Sequence, residues 1–145
     1  MIMPFSNEYS CAARSLVLKV LQEEGFAYDP VKDSDLENIR ANYVEKGGAF
    51  FIALEGDELT GTSAVKKAGP DTCEIKRIYV RKEWRGKGIG RDLFNAALSY
   101  AAANYEKAVL KTDLSLHTAT DMYIRHGFTI VKEEGCILYL EKIFY

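Results

Sequence analysis

The ten residues RKEWRGKGIG, at positions 81–90, combine three glycines with four basic side chains directly after the strand-like run CEIKRIYV. A strand that runs into a helix leaves the first amide N–H groups of that helix unpaired, and the helix dipole adds positive potential there. Glycine lets a bulky group approach the backbone closely and permits positive φ. The segment is therefore predicted to bind a phosphate or diphosphate through its main chain. A surface turn with a solvated basic face is the alternative interpretation.

Two familiar phosphate-binding motifs do not fit this segment. The P-loop requires G-x-x-x-x-G-K-[ST], but Lys87 precedes its next glycine and no Ser or Thr follows. The dinucleotide fingerprint G-x-G-x-x-G fails because its third glycine would fall at Arg91 or Leu93.

The pattern that does fit is R-x-x-G-x-G, from Arg85 to Gly90, and a second pattern follows it in ATDMYIRHGF. That second stretch matches A-x-x-x-Y-x-x-x-G-F, with Ala119, Tyr123 and Gly127 at the required spacing. With these two motifs and this order of elements over roughly residues 27–143, the sequence resembles the GNAT superfamily of acetyl-CoA-dependent N-acyltransferases. The resemblance implies acetyl-CoA as acyl donor, with no metal, and a loop whose amides wrap the coenzyme diphosphate.

The resemblance also assigns residues to the coenzyme. In the family the strand before the loop splays from its parallel neighbour, here KAVLKTD, and the pantetheine arm binds exposed backbone in the gap like an added strand. The expected coenzyme-binding residues are Ile78, Val80, Arg85, Gly86, Lys87, Gly88, Ile89, Gly90 and Ala119. Leu116 stands where many members carry an asparagine that contacts the coenzyme, so this contact is either missing or supplied by Ser115 or His117.

Transfer of an acyl group from a thioester to an amine requires that an ammonium lose a proton and that a thiolate leave. Glu74 resembles in placement the catalytic glutamate of the histone-modifying branch and is the expected base; a solvated carboxylate paired with Lys76 is the alternative. Tyr123 is the expected donor to the departing sulfur, and a core aromatic is the alternative. Cys73 neighbours Glu74 on a strand, so its side chain points to the opposite face, and it is expected to be a core residue.

The elements that must position these residues follow from the hydrophobic pattern. A first helix is expected over 12–24 and ends at Gly25; a second begins at Ser34, with Glu37 completing a capping box and Leu36, Ile39, Tyr43 and Val44 buried. Further expected elements are strands at 49–54, 59–67 and 72–80, a helix at about 88–103, a strand at 107–113, a short helix ended by Gly127 and a closing hairpin. The order ααβββαβαββ predicts a mixed α/β (α+β) domain. The resemblance adds a mostly antiparallel GNAT-type sheet with helices on both faces and a splayed parallel pair.

The composition restricts which classes of protein and which cellular locations are expected. The 145 residues carry a net charge of −2, which predicts one domain over 1–145 and no global attraction to nucleic acid or anionic membranes. Three scattered cysteines and two histidines suggest neither disulfides nor a metal site. Without a signal-like start or a long apolar run, the expected location is cytoplasmic.

The resulting hypothesis is an N-acetyltransferase that moves acetyl from acetyl-CoA to a primary amine of a small molecule or peptide by direct transfer in a ternary complex. A non-catalytic acyl-CoA-binding sensor on the same fold and a nucleotide-binding regulator are the alternatives. The acidic stretch EEGFAYDPVKDSD, 23–35, is expected on the amine side, where its carboxylates could attract a cationic amine and Phe26 and Tyr28 could line a pocket. Family members often pair, so a homodimer is possible.

Overall fold

A single seven-stranded sheet organises the chain, which the computed structural model describes from residue 1 to residue 145. The strand order is β1-β2-β3-β4-β5-β7-β6. The strands are β1 Ile2–Pro4, β2 Ala49–Glu55, β3 Glu58–Lys67, β4 Thr72–Val80, β5 Lys107–Asp113, β6 Thr129–Glu134 and β7 Ile137–Ile143. The helices are α1 Ser10–Glu23, α2 Ile39–Asn42, α3 Ile89–Asn104 and α4 His117–Arg125.

Helices cover both faces of the sheet. Successive side chains of a strand point to opposite faces, so each face presents apolar side chains that a helix can bury. On one face α1 and α2 pack on β2 and β3; this core contains Leu16, Val20, Ile39, Tyr43, Phe50 and Ala64. On the other face α3 and α4 pack on β4, β5 and β7; this core contains Cys73, Ile75, Phe94, Tyr123 and Phe128. The predicted mixed fold with helices on both faces is confirmed.

The only parallel pair in the sheet is β4 with β5, joined by the crossover through α3. Its ladder covers three residue pairs and ends where Glu74 pairs with Val109. Beyond Glu74 the two strands diverge, which opens a gap between the second halves of β4 and β5. The predicted splayed pair is therefore present, and Glu74 lies where the gap begins.

A β-bulge in β4 changes which face its side chains occupy. Lys76 pairs with Ala64 and Tyr79 with Thr62, so Arg77 and Ile78 together oppose the single residue Ser63. Arg77 is the extra residue and has a φ of 57°, in the left-handed region that side-chain-bearing residues seldom occupy. As a result, Glu74 and Lys76 lie on the α1 face, whereas Ile78 and Val80 pack toward α3.

Two features of the N-terminal half differ from prediction. Strand β1 was not predicted; it is only three residues long and pairs along the edge with β2. The second helix is also interrupted: 3₁₀ turns at Ser34–Glu37 and Val44–Lys46 flank the four-residue α2.

The capping box predicted at Ser34 and Glu37 is wrong. Ser34 Oγ donates to the Val31 carbonyl, and Glu37 instead bonds Arg14, at 3.0 Å, and the hydroxyl of Tyr28. The prediction that Val44 is buried is also wrong, since this side chain is exposed. None of the helices combines the length and the apolar character that crossing a bilayer would require.

Candidate active site

The loop between β4 and α3 presents a run of unpaired amides. No main-chain or side-chain hydrogen bond within the chain uses the N–H groups of residues 86–91 as donors. Gly86 and Gly88 have φ values of 79° and 84°, which the turn needs and which glycine adopts without a Cβ clash. Free amides at the N-terminus of the 16-residue helix α3 form the type of site that binds phosphate oxygens.

A cavity of about 900 Å³ extends from this loop along β4 to α4. Its wall includes three arginines, Arg85, Arg91 and Arg125, which supply positive charge for an anionic ligand. Arg85 Nε also donates to the Val80 carbonyl at 3.0 Å, which fixes this side chain against the end of β4. Arg91 and Arg125 were not predicted; single arginines on exposed helix positions are too common for the sequence to distinguish them.

The structure places the predicted coenzyme residues in two groups. Five of them line the large cavity: Ile78, Val80, Arg85, Gly90 and Ala119. The other four, Gly86, Lys87, Gly88 and Ile89, form the loop and the start of α3. The side chain of Ile89 is buried against Leu93 and Ala53, so only its main chain is available to a ligand.

A second cavity, of about 560 Å³, occupies the gap between β4 and β5 and opens toward the α1 side. Its polar wall contains Lys32, Asp33, Glu74, Lys76, Arg77, Lys111, Thr112 and Asp113. The two cavities share three residues, Ile78, Leu116 and Tyr123. A molecule in the first cavity and a molecule in the second would therefore meet beside Tyr123.

Tyr123 is held by aromatic packing at this junction. Its ring centroid lies 5.2 Å from that of Phe94 and 6.4 Å from that of Phe128, and the residue is only 9% exposed. Its hydroxyl has no hydrogen-bond partner within the chain. Burial raises the pKa of Tyr123 above its usual value, so the phenol stays protonated at neutral pH and can donate a hydrogen bond.

Glu74 lines the second cavity where the β4–β5 ladder ends. Its side chain is 20% exposed, and Oε2 lies 3.9 Å from the Lys111 ammonium on β5. The partner considered from the sequence, Lys76, shares this face but lies beyond salt-bridge distance. Glu74 is thus accessible from the cavity and has one weak charge partner.

Cys73 lies on the opposite face from Glu74, in the core beneath α3. Burial raises the pKa of its thiol to about 11, which disfavours the thiolate needed for nucleophilic attack. The residue lines neither of the two cavities, in keeping with the prediction of a core residue.

Leu116 precedes the first residue of α4 and faces both cavities. Of the two proposed substitutes for the asparagine, Ser115 already donates its hydroxyl to Asp113 Oδ1 at 2.6 Å. The imidazole of His117 lines the 900 Å³ cavity without a hydrogen-bond partner in the chain, so it is the better placed of the two.

A buried ionic network on β4 was missed by sequence reasoning. The Arg77 guanidinium bonds Asp35 through Nε at 3.0 Å and through Nη2 at 2.7 Å, and Nη2 also bonds Asp33 at 3.0 Å. The Tyr43 hydroxyl donates to Asp35 as well. The network fastens the segment before α2 to the bulge, on the wall of the second cavity.

Comparison with known proteins agrees with this architecture. The family model for the acetyltransferase (GNAT) family matches residues 16–128. An uncharacterized N-acetyltransferase of Schizosaccharomyces pombe is 32% identical over 120 residues, 79% of this chain and 73% of that protein. The N-acetylaspartate synthetase of Danio rerio is 31% identical over 103 residues, 69% of this chain but only 36% of that longer protein.

Solved structures show the same fold. A GNAT-family acetyltransferase from Staphylococcus aureus superposes with a TM-score of 0.87 at 21% identity, covering 100% of this chain and 99% of that one. A putative acetyltransferase from Salmonella typhimurium, solved with its cofactor acetyl-CoA, superposes with a TM-score of 0.81 at 16% identity, covering 100% and 94%. The chain belongs to the GNAT acetyltransferase family.

Proposed function

We propose that residues 1–145 act as a single N-acetyltransferase domain that moves acetyl from acetyl-CoA to a primary amine while both are bound. The observation that carries this proposal is the meeting of two cavities at Tyr123. One cavity begins at a cradle of free amides, and the other ends at an accessible carboxylate. The names of the relatives, an N-acetyltransferase and an N-acetylaspartate synthetase, support transfer to nitrogen.

The residues present fit coenzyme A. The amides of residues 86–91 and the side chains of Arg85 and Arg91 would hold its diphosphate, since backbone N–H groups and guanidinium groups both bind phosphate oxygens well. Because β4 diverges from β5 after Glu74, the backbone groups of β4 that face the gap are not paired with β5, and the pantetheine arm would bind there. When bound, acetyl-CoA supplies an activated acetyl thioester. The acetyl-CoA complex of the Salmonella neighbour supports this assignment through the shared fold.

Glu74 is proposed to receive the proton of the acceptor ammonium, directly or through water. An alkyl ammonium with a pKa near ~10.4 is almost entirely protonated at pH 7, and deprotonation costs roughly 4–5 kcal/mol. A carboxylate at the mouth of the gap can share this cost because it is accessible from the acceptor side.

Tyr123 is proposed to stabilise the departing thiolate. Its phenol is protonated, has no partner in the chain and lies at the junction, so it can donate a hydrogen bond to developing negative charge on sulfur. Cys73, on the far face, is too enclosed to carry an acyl group, which supports direct transfer over a two-step route.

Release of free thiol from acetyl-CoA across a panel of primary amines tests the proposal. Amine-dependent release well above the amine-free rate is expected. Coenzyme binding without turnover on any amine would support the alternative hypothesis, an acyl-CoA sensor, over the enzyme. Preferential binding of ATP or NAD over coenzyme A would contradict both the enzyme and the sensor and would support a nucleotide-binding regulator.

A further inference from the structure

We propose that the acceptor is a primary amine that also carries a carboxylate, as an amino acid does, and that Lys76 binds this carboxylate. This inference rests on the proposed function and specifies its acceptor. It follows from the charges that line the 560 Å³ cavity, most of which are already paired.

The buried charges of the cavity neutralise one another to a large degree. Arg77 is engaged by Asp33 and Asp35, at 3.0 and 2.7 Å. The remaining capacity of these carboxylates is used by the Tyr43 hydroxyl on Asp35 and by the Asp29 amide on Asp33, at 2.9 Å. None of these carboxylates is free to bind a cationic ligand.

The carboxylates nearer the gap are also engaged. Glu74 has the Lys111 ammonium at 3.9 Å. Asp113 Oδ1 accepts hydrogen bonds from both the amide and the hydroxyl of Ser115, at 2.9 and 2.6 Å, which turn it toward the start of the loop before α4. After these contacts the Asp113 carboxylate, which bonds only the neutral Ser115, and two lysine ammonium groups lack an oppositely charged partner, so the positive groups are in excess.

Lys76 and Lys32 are the two cationic groups of the cavity wall with no oppositely charged atom within 4.0 Å. Lys76 is the more informative because it is half-buried on β4, whereas Lys32 is exposed. Burial lowers the pKa of Lys76, and the nearby charges of Glu74 and Asp35 only partly oppose this shift. The folded protein therefore holds an incompletely solvated ammonium with no carboxylate in direct contact. A ligand carboxylate would supply that partner and form a charge-assisted hydrogen bond.

The placement of Lys76 relative to Glu74 matches a bifunctional acceptor. The two residues are separated by one position on the same strand face, roughly 6–7 Å along β4. An acceptor whose amine approaches Glu74 at the gap would extend any group a few bonds away toward Lys76. Compact amino acids have the two charged groups at such a short separation, whereas polyamines would place a second ammonium beside a lysine.

Asp33 and Asp35 of the acidic stretch at 23–35 are committed to Arg77, and the rest of the stretch adds no carboxylate to the cavity wall. Asp29 accepts the amides of Val31 and Lys32, at 2.8 and 3.0 Å, within its own turn. Of the whole stretch, only Lys32 and Asp33 line the cavity, and the aromatic residues considered from the sequence do not. The expected attraction of this segment for a cationic amine is therefore not supported by the geometry.

The test compares matched acceptors by free-thiol release: aspartate, glutamate and alanine against their carboxamides, which keep the amine but lose a carboxylate charge. The wild-type protein is expected to use at least one acid with a kcat/KM roughly tenfold to a hundredfold above that of its amide, the range for a hydrogen bond to a charged group. In Lys76→Met this ratio should fall toward one, mainly through KM, and Lys76→Arg should restore part of it. Lys19→Met is the matched control, since Lys19 is exposed on α1 outside both cavities and should keep the wild-type ratio.

Each result decides the inference. Equal use of acids and amides by the wild type, an unchanged ratio in Lys76→Met, or an equal loss of the ratio in Lys19→Met would overturn the role of Lys76 while amine acetylation itself stands. Absence of thiol release with every amine would instead reject the proposed function and with it the acceptor class. The wild-type comparison needs no variant, so it decides the acceptor class even if Lys76→Met folds poorly, and Lys76→Arg then tests the role of Lys76 with the charge retained.

Discussion

Arg77 and Asp35 form a two-pronged ion pair across the bulge of β4, with Nε 3.0 Å from Oδ2 and Nη2 2.7 Å from Oδ1. Arg77 sits at a left-handed backbone position that costs of order 1–3 kcal/mol and persists only when surrounding contacts enforce it. The pair is such a contact. It also joins the strand that borders both cavities to the segment before α2, which lines the 560 Å³ cavity.

Removal of this pair should destabilise the fold. Arg77→Met leaves two buried carboxylates without their cation, and breaking a buried pair in this way costs about 3–5 kcal/mol. Urea unfolding should show a loss of this size. Arg40→Met is the control, because its pair with Glu45 at 3.6 Å is exposed and worth about 0–1 kcal/mol. Similar small losses in the two variants would show that the network does not hold the bulge.

The same network predicts an acid-dependent loss of stability. Burial alone would raise the pKa of Asp35, but hydrogen bonds from Arg77 and Tyr43 outweigh it and hold this pKa below its usual value. A carboxyl with a lowered pKa stabilises the folded state above its unfolded pKa of about 4, and this contribution is lost as pH falls further. The difference in free energy of unfolding between the wild type and Asp35→Asn should therefore shrink below about pH 4. A difference that stays constant down to pH 2 would contradict the assignment.

Glu74→Gln should lower kcat by about 10²-fold at pH 7, because the acceptor ammonium then lacks its proton acceptor. The deficit should shrink as pH approaches the pKa of the amine, near ~10 for an alkyl ammonium, since the amine then deprotonates without help. Glu141→Gln is the matched control: it removes a partner of Lys107 at 3.5 Å on the same sheet, outside both cavities. A deficit independent of pH would assign Glu74 a structural role instead.

Tyr123→Phe should reduce turnover by about 10²-fold while coenzyme affinity changes little, because only the hydroxyl at the junction is lost. Burial raises the pKa of Tyr123, so no loss of wild-type activity below about pH 10 should arise from its ionisation. Tyr100→Phe, which removes a hydroxyl bonded to Gly47 on a distant surface, should turn over normally. Full activity of Tyr123→Phe would remove this residue from the mechanism.

Much of the architecture was predictable because its signals are local. The alternating strands, the apolar stripe of α3 and the glycines after Val80 each follow from short-range pattern. The bulge was not predictable, because the extra residue in β4 is defined only by its register with Ser63 on another strand. The interruption of the second helix was not predictable for the same reason, because it depends on a distant residue. Asp33 and Asp35 bond Arg77, more than 40 positions away, instead of capping a helix.

Within the candidate site, the positions of the loop and Tyr123 were predicted from motifs, whereas the lysines of the 560 Å³ cavity were not. Lys76 reads from the sequence as an ordinary strand residue. Its lack of a partner becomes visible only when β5, the segment before α2 and the bulge are brought together around it.

Coenzyme A binding to a loop variant, measured by isothermal titration calorimetry, tests the central claim most directly. Gly88→Asp would place a carboxylate among the amides of residues 86–91, and its Cβ would lie 2.9 Å from the Arg91 guanidinium. Gly25→Asp is the matched control, with a similar φ of +89° and no atom within 4 Å of the added Cβ. The account predicts wild-type affinity for the folded Gly25 variant and no measurable binding for the folded Gly88 variant; equal binding by both would contradict it.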